Sequence, residues 1–322
     1  MSETENTRKP LAGIHVIDLT SYLAAPSCGR ILAFMGADVI KVEPLKGDAF
    51  RGMGELYGFP STDTDNSLYI DANEGKRFIS VDMKTREGLS IFHKLIKTAD
   101  IFITNLLEHS LKTLEVTYED LKLINPRLVY GMINGYGSNG PEAGRPGFDA
   151  TSYYARGGYM LDYVPEGNPP NNFIIGAGDR NTSLSLAAGV LSALVGSQIN
   201  GCGYKVTSSL LHTSIWMASM NYVISQYGKD YYMDHAYLCK DGTYMFAQAI
   251  SEKQKKYMCD ILGVDEETYD DHIKIVPILK KVYATKTFDE WQEIFSQTNI
   301  CSERLQHLVD VAHDEQALCN NF

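Results

Sequence analysis

From residue 181 to residue 204 the chain carries no charged side chain. An uncharged run of that length is stable as a helix against a protein core or across a membrane. This run is broken by Ser183, Ser185, Gly189, Ser192 and Gly196, which suits a buried helix better than a lipid-facing span. Such a helix needs a sheet or other helices beside it, so the stretch dictates a layered domain with a sizeable core. Its approach is as telling as its body. An apolar run beginning at Phe173 enters the turn Gly176, Ala177, Gly178 and delivers Asp179 to the helix mouth. From the residues alone Asp179 has two readings: an N-cap that accepts from the orphan N–H groups of the first turn, or a nucleophile.

The preceding residues supply the sheet. Residues 13–18 (GIHVID) read as a short buried strand, residues 19–27 as a turn, residues 28–35 as a helix stopped by Gly36, and residues 37–43 (ADVIKVE) as a second strand. Strand, helix and strand within about 30 residues make a right-handed parallel unit. Further strands are expected over residues 78–83, 101–104, 128–133 and 205–209, with helices from Thr85 and over residues 118–124 between them. The fold class is therefore α/β, with a Rossmann-like parallel sheet in the large domain. Glu43 mimics the ribose-binding acid of a dinucleotide site. However, the turn SYLAAPS contains no GxGxxG to bring a pyrophosphate to the backbone, which argues against a nicotinamide enzyme.

Residues 44–66 and residues 134–147 are rich in glycine and proline and read as loops; the second follows a strand's carboxyl end, where open α/β sheets bind ligands. Residues 148–160 are aromatic and partly helical, and the tyrosines around Tyr153 fit either an aryl pocket or the core. A long apolar helix is expected from Leu210 to about Gln226. Beyond it the chain becomes charged and mainly helical, with one strand pair around the Asp241-Gly242 turn. The division expected is residues 1–228 as a large domain and residues 229–322 as a smaller α+β domain.

Composition limits the function. A length of 322 residues suggests about two domains. A formal net charge of -11 argues against a general nucleic-acid binder. The polar N-terminus has no apolar signal core, and the six cysteines show no CxxC spacing. A cytoplasmic protein with reduced thiols and neither metal site nor membrane span is expected.

Taken in order, these pieces resemble the class III CoA-transferases, the formyl-CoA and carnitine CoA-transferase type. The segments that carry the likeness are LAGIHVIDLTSYLAAPSCGRILAFMGADVIKVEP, NEGKRFISVDMKTREG, INGYGSNGP, the GD turn before LAAGVLSAL, KVTSSLLHTS and DEQA. PGFDATSYYARGG, SQYG, YLCKDG and KTFDEW look most like the phenyllactate and 2-hydroxyisocaproate branch found in amino-acid-fermenting anaerobes. The resemblance implies an interlaced homodimer and an enzyme that moves CoA from an acyl-CoA to a 2-hydroxy or aryl-lactate acid. CoA is then a substrate, and no permanently bound cofactor is implied. It also implies that Asp179 is the nucleophile, passing through a mixed anhydride and an aspartyl-CoA thioester. By position, Lys76 and Arg77 would meet the CoA nucleotide, Asn105 and Tyr136 would line its pocket, and Ala24, Ala25 and Pro26 would lie along the pantetheine.

The sequence departs from the family at several places. Ser183 stands where glycine is usual, and Thr113 where a base is common, so that Lys112 would have to substitute. Pro44 and Asn134 occupy positions that are basic in some members. The linker from Gln226 to Tyr237 looks too short for a mobile glycine loop. The family's C-terminal return segment, expected after Phe322, looks absent. These departures motivate a second expectation, a catalytically impaired acyl-CoA-binding paralogue or truncated product.

Overall fold

A computed structural model of the chain describes residues 9–164, 167–170, 174–227, 236–298 and 300–320, without the side chain of residue 272. Phe173, Phe322 and the linker around residue 229 lie outside the described residues. The chain divides into two compact units, residues 1–228 and residues 229–322.

The first unit is built on six strands: β1 (His15–Leu19), β2 (Asp38–Glu43), β3 (Arg77–Ser80), β4 (Ile101–Thr104), β5 (Val129–Asn134) and β6 (Tyr204–Ser209). Their order across the sheet is β3-β2-β1-β4-β5-β6, and every neighbouring pair is parallel. Alternate residues of each strand face opposite layers, as the two-residue period requires. Val16, Val39, Ile101, Ile103, Val129 and Ile133 meet Leu32, Leu186, Val190 and Leu194 from the helices Ala24–Phe34 and Ala177–Asn200. On the other face Ile17, Val42, Phe102, Tyr130 and Met132 meet Phe92, Ile96 and Leu121 from the helices Arg86–Lys97 and Tyr118–Ile124. Covering both faces is what makes the strands read as continuous apolar runs. The chain order reverses between β1 and β4, so ligands are expected beyond the carboxyl ends of these strands.

Several boundaries differ from the sequence reading. The first helix starts at Ala24, not Cys28, because Pro26 is tolerated in a first turn, where its missing N–H has no helical partner. The apolar helix after Leu210 breaks at Ala218 into Leu210–Met217 and Ser219–Gln226. Ser67–Asn73 and Glu108–Thr113 are helices that the sequence reading left unassigned. The long helix Ala177–Asn200 is also less buried than expected. Leu186, Val190 and Leu194 are buried on the sheet, whereas Leu184, Val195 and Ile199 are exposed. It is the one described helix with the length and apolarity to cross a membrane, but its inner stripe covers the sheet.

In the second unit, β7 (Tyr237–Leu238), β8 (Tyr244–Gln248) and β9 (Cys301–Arg304) form an antiparallel sheet in that order. The expected pair around Gly242 is present, with Gly242 at φ 83°. β9 corrects the expectation of helix there, since Cys301–Arg304 pairs with the edge of β8. Met245, Tyr283, Trp291 and Phe295 form the centre of this unit's own core.

Candidate active site

The turn before the long helix is assembled by groups from three segments. Gly176 caps the helix in the left-handed region at φ 80°, a conformation that favours glycine. Its N–H donates to the buried Asp149 carboxylate at 2.6 Å. Leu23, from the loop after β1, lies so close that a Cβ on Gly176 would come within 2.6 Å of its Cδ2. Gly178 is equally constrained by sterics, because a Cβ there would meet Tyr153 Cγ at 2.6 Å.

Asp179 is therefore not the N-cap that one sequence reading made it. It is the third residue of the helix, and Gly176 takes the cap position without any side-chain hydrogen bond. No described side chain or backbone group donates a hydrogen bond to its carboxylate. Burial first, and then the charge of Asp149, push its pKa up to about 7, against the opposing pull of Arg180. The arrangement yields a partly buried carboxylate, unengaged and more basic than an ordinary aspartate. Such a group can act as a nucleophile once ionised.

Neighbouring residues brace this turn. Arg180 donates to Ser27 Oγ at 2.8 Å and pairs with Asp71. Ser183 donates to the carbonyls of Ala24 and Asp179. The serine at this departure position thus ties two helices together and uses its hydroxyl within the packing. Tyr153 and Tyr154 are buried, Tyr153 stacks on Tyr159 at 5.4 Å, and Tyr154 donates to the Ile174 carbonyl at 2.9 Å. The first two tyrosines of this cluster are therefore core residues.

The other sequence candidates divide. Asn105 clamps the β1 loop, accepting from Ser21 N–H at 2.9 Å and donating to its carbonyl at 2.8 Å. Asp48 accepts from Ser21 Oγ and Tyr22 N–H and pairs with the buried Lys41 at 3.0 Å. These contacts hold Tyr22 in the left-handed region at φ 65°, where its ring meets Phe148 edge-on at 5.6 Å. Ala24, Ala25 and Pro26 are buried in the first turn of their helix. Tyr136 lies beneath the Arg145 guanidinium, 5.0 Å from its ring centre.

Lys76 and Arg77, expected to meet the CoA nucleotide, go to different environments. The Lys76 ammonium is buried and donates to Asp18 Oδ2 at 2.7 Å, Pro26 O at 2.7 Å and Asn73 Oδ1 at 2.8 Å. Burial lowers its pKa to about 8, with the Asp18 charge holding it up. Arg77 is exposed at the amino end of β3 and is paired with Asp38. Glu43, the ribose-acid mimic, is held by Arg51 at 2.8 Å and by the Tyr69 hydroxyl. A cleft of about 370 Å³ includes Asn105, Lys112, Tyr118, Asn134 and Lys205 in its lining. Lys112 is paired there with Glu108 at 2.7 Å, and the Thr113 hydroxyl donates to the His109 carbonyl. Asp149 and Lys205 escaped the sequence reading; only the aspartate's place just before an aromatic segment could have marked it. Among the described residues no cluster of three His, Cys, Asp or Glu side chains could hold a metal.

Comparisons with known proteins agree with one another. The model for CoA-transferase family III matches residues 11–322. An (R)-2-hydroxy-4-methylpentanoate CoA-transferase of Clostridioides difficile is 34% identical, covering 97% of this chain and 84% of the relative. A cinnamoyl-CoA:phenyllactate CoA-transferase of Clostridium sporogenes is 31% identical, covering 99% and 83% respectively. Among solved structures, a CAIB/BAIF family protein from Brucella suis superposes with a TM-score of 0.78 at 26% identity, covering 97% of this chain and 88% of its own.

Proposed function

The chain belongs to CoA-transferase family III, and we propose that it moves CoA from an acyl-CoA to a 2-hydroxy or aryl-lactate acid through Asp179. An Asp179 oxygen attacks the thioester carbonyl, and the C–S bond breaks to release CoA thiolate and leave a mixed anhydride. The thiolate then attacks the aspartyl carbonyl, expelling the donor carboxylate and leaving an aspartyl-CoA thioester. The incoming carboxylate attacks that thioester to form a second anhydride and free the thiolate again. The thiolate finally attacks the acceptor's acyl carbon, regenerating Asp179. One thioester is exchanged for another, so no ATP is needed.

The observation that carries this reading is the Asp179 carboxylate, partly buried at the mouth of the long helix, without a hydrogen-bond donor among the described residues and raised to about 7. Its basicity favours attack, and backbone N–H groups of the glycine turns suit a developing oxyanion. The backbone of Ala24, Ala25 and Pro26, with Asn105 and Tyr136, is proposed to receive CoA. Arg77 stays with Asp38 at the amino end of β3, away from the carboxyl ends of the strands, so the phosphate contact expected of it is not part of this reading. Lys76 supports the Pro26 carbonyl from below rather than meeting phosphate, because its three protons are already engaged. The acid preference rests on the two clostridial relatives. A cytoplasmic homodimer is part of the same reading; the exposed Trp216, Met217, Met220 and Tyr227 suit a covered face.

Intact-protein mass spectrometry after mixing with phenyllactyl-CoA or acetyl-CoA tests the chemistry. The expected result is an adduct at Asp179 that hydroxylamine cleaves, and no exchange activity in Asp179→Asn. CoA binding without an adduct across an acyl-CoA panel supports the binding-only alternative. Full activity in Asp179→Asn overturns the assignment.

A further inference from the structure

We propose that Asp149 is a positioning residue that anchors the glycine turn and holds a second negative charge behind the Asp179 carboxylate. The inference rests on Asp179 being the reacting group. Asp149 is buried, yet no base among the described residues pairs with its carboxylate. It accepts instead from the Gly176 N–H at 2.6 Å, across 27 residues of chain. A buried acid held by backbone N–H groups is costly to maintain. A neutral Asn or Ser could satisfy the same donor, so charge must be explained by something beyond the turn. That explanation lies two residues further on. A Cβ at Gly178 would approach the Asp149 Cβ to 3.0 Å, so the acid lies against the very turn that carries Asp179.

Asp149 thereby acts in two ways. Its hydrogen bond fixes Gly176 in the left-handed conformation and with it the direction of the first helical turn. Its charge makes the neighbouring carboxylate harder to ionise and, once ionised, more nucleophilic. Few other groups compete for this role. Arg180, on the same helix, opposes it but is itself tied to Asp71 from the helix Ser67–Asn73. Tyr153 and Tyr154 face the turn from the Asp149 segment; the Tyr153 hydroxyl accepts from Asn181, and the Tyr154 hydroxyl, pushed up to about 12 by burial, is neutral in the working range. The first helix presents the Ala24 carbonyl and the Ser27 hydroxyl, which do not titrate in this range.

The test is a carbon-13 NMR titration of aspartate carboxyls in the full chain, with the Asp179 resonance identified by its loss in Asp179→Asn. The Asp179 midpoint is expected to fall by about one pH unit in Asp149→Asn, the size of a nearby-charge effect. Asp149→Glu, which restores the charge, is expected to return it toward the wild-type value. In the transferase assay the acid limb of the kcat profile should move down with it. The plateau should fall roughly threefold, because nucleophilicity tracks basicity with a slope of about one half. A merely structural defect would lower the rate at every pH and leave the limb in place. If Asp149→Asn does not fold, Asp149→Ser reads the same loss of charge. An unmoved midpoint in a folded neutral variant overturns the proposal. If Asp179→Asn retains transferase activity, the reading of Asp179 as nucleophile fails, while the titration still reports whether the two carboxylates are coupled.

Discussion

Replacing Asp179 by asparagine should stabilise the protein at pH 8.5 while abolishing transfer. The folded state raises this carboxyl from 3.8 to about 7. At about 1.4 kcal/mol per pH unit, the ionised folded form carries a penalty of about 4 kcal/mol. The direction follows from proton counting. Between 3.8 and about 7 the folded state binds more protons than the unfolded one, so stability falls as pH rises and the loss is complete above 7. Asparagine removes that charge but leaves a partly buried amide without a partner, which returns about 1–3 kcal/mol of cost. The net gain expected at pH 8.5 is about 1–2 kcal/mol, the smaller end because the site is partly open to solvent screening. At pH 4 the gain should vanish or reverse, since the wild-type carboxyl is then protonated in the folded state. Urea denaturation of the wild type and the variant at several pH values, followed by a probe in the large unit, measures this difference. A difference that does not change between pH 4 and pH 8.5 would refute the reasoning, because it would show that no buried negative charge was being relieved. The trade of stability for a reactive group is common at sites that must hold a strained or desolvated residue.

Other perturbations separate structural from catalytic roles. Lys76→Met leaves Asp18 buried without its cation and should cost about 3–5 kcal/mol in urea denaturation; a raised KM for acyl-CoA at unchanged stability would contradict the buried placement. Ser183→Ala loses the hydroxyl bridge between two helices and should cost about 1 kcal/mol while keeping transfer activity, read from melting curves and an exchange assay. In Gly178→Ala the new methyl meets the base of the Tyr153 ring at 2.6 Å. It should destabilise the large unit by about 1–3 kcal/mol through overpacking and lower kcat, because the turn bearing Asp179 must shift.

Much of the large unit was legible in the sequence because its strands lie between two helical layers. Burial on both faces writes each strand as a short apolar run, and glycines mark the ends. The uncharged run after residue 181 likewise announced the long helix. Edges were harder to read. β9 is a four-residue partner to β8 whose side chains are mostly exposed, so SERLQ carries no apolar period to distinguish it from helix. The break at Ala218 is similarly silent, since apolar residues continue through it.

What the sequence determined by itself was the alternation of the six parallel strands with helices in the large unit, the glycine turn and the place of Asp179 at its end. These depend on local periodicity and on residues with restricted backbone freedom, so they are written within a few neighbours of one another. What only the tertiary structure decided was which polar groups meet. Lys76 was expected beside Arg77 on the CoA nucleotide, but its ammonium reaches back to Asp18, 58 residues earlier in the chain. Asp149 stands just before an aromatic stretch with no motif to single it out, yet it holds the turn that carries Asp179. Adjacent residues of a strand or turn can leave for opposite environments, and charges distant in sequence can be forced together once solvent is excluded. The chemistry of this site arises from that second kind of proximity.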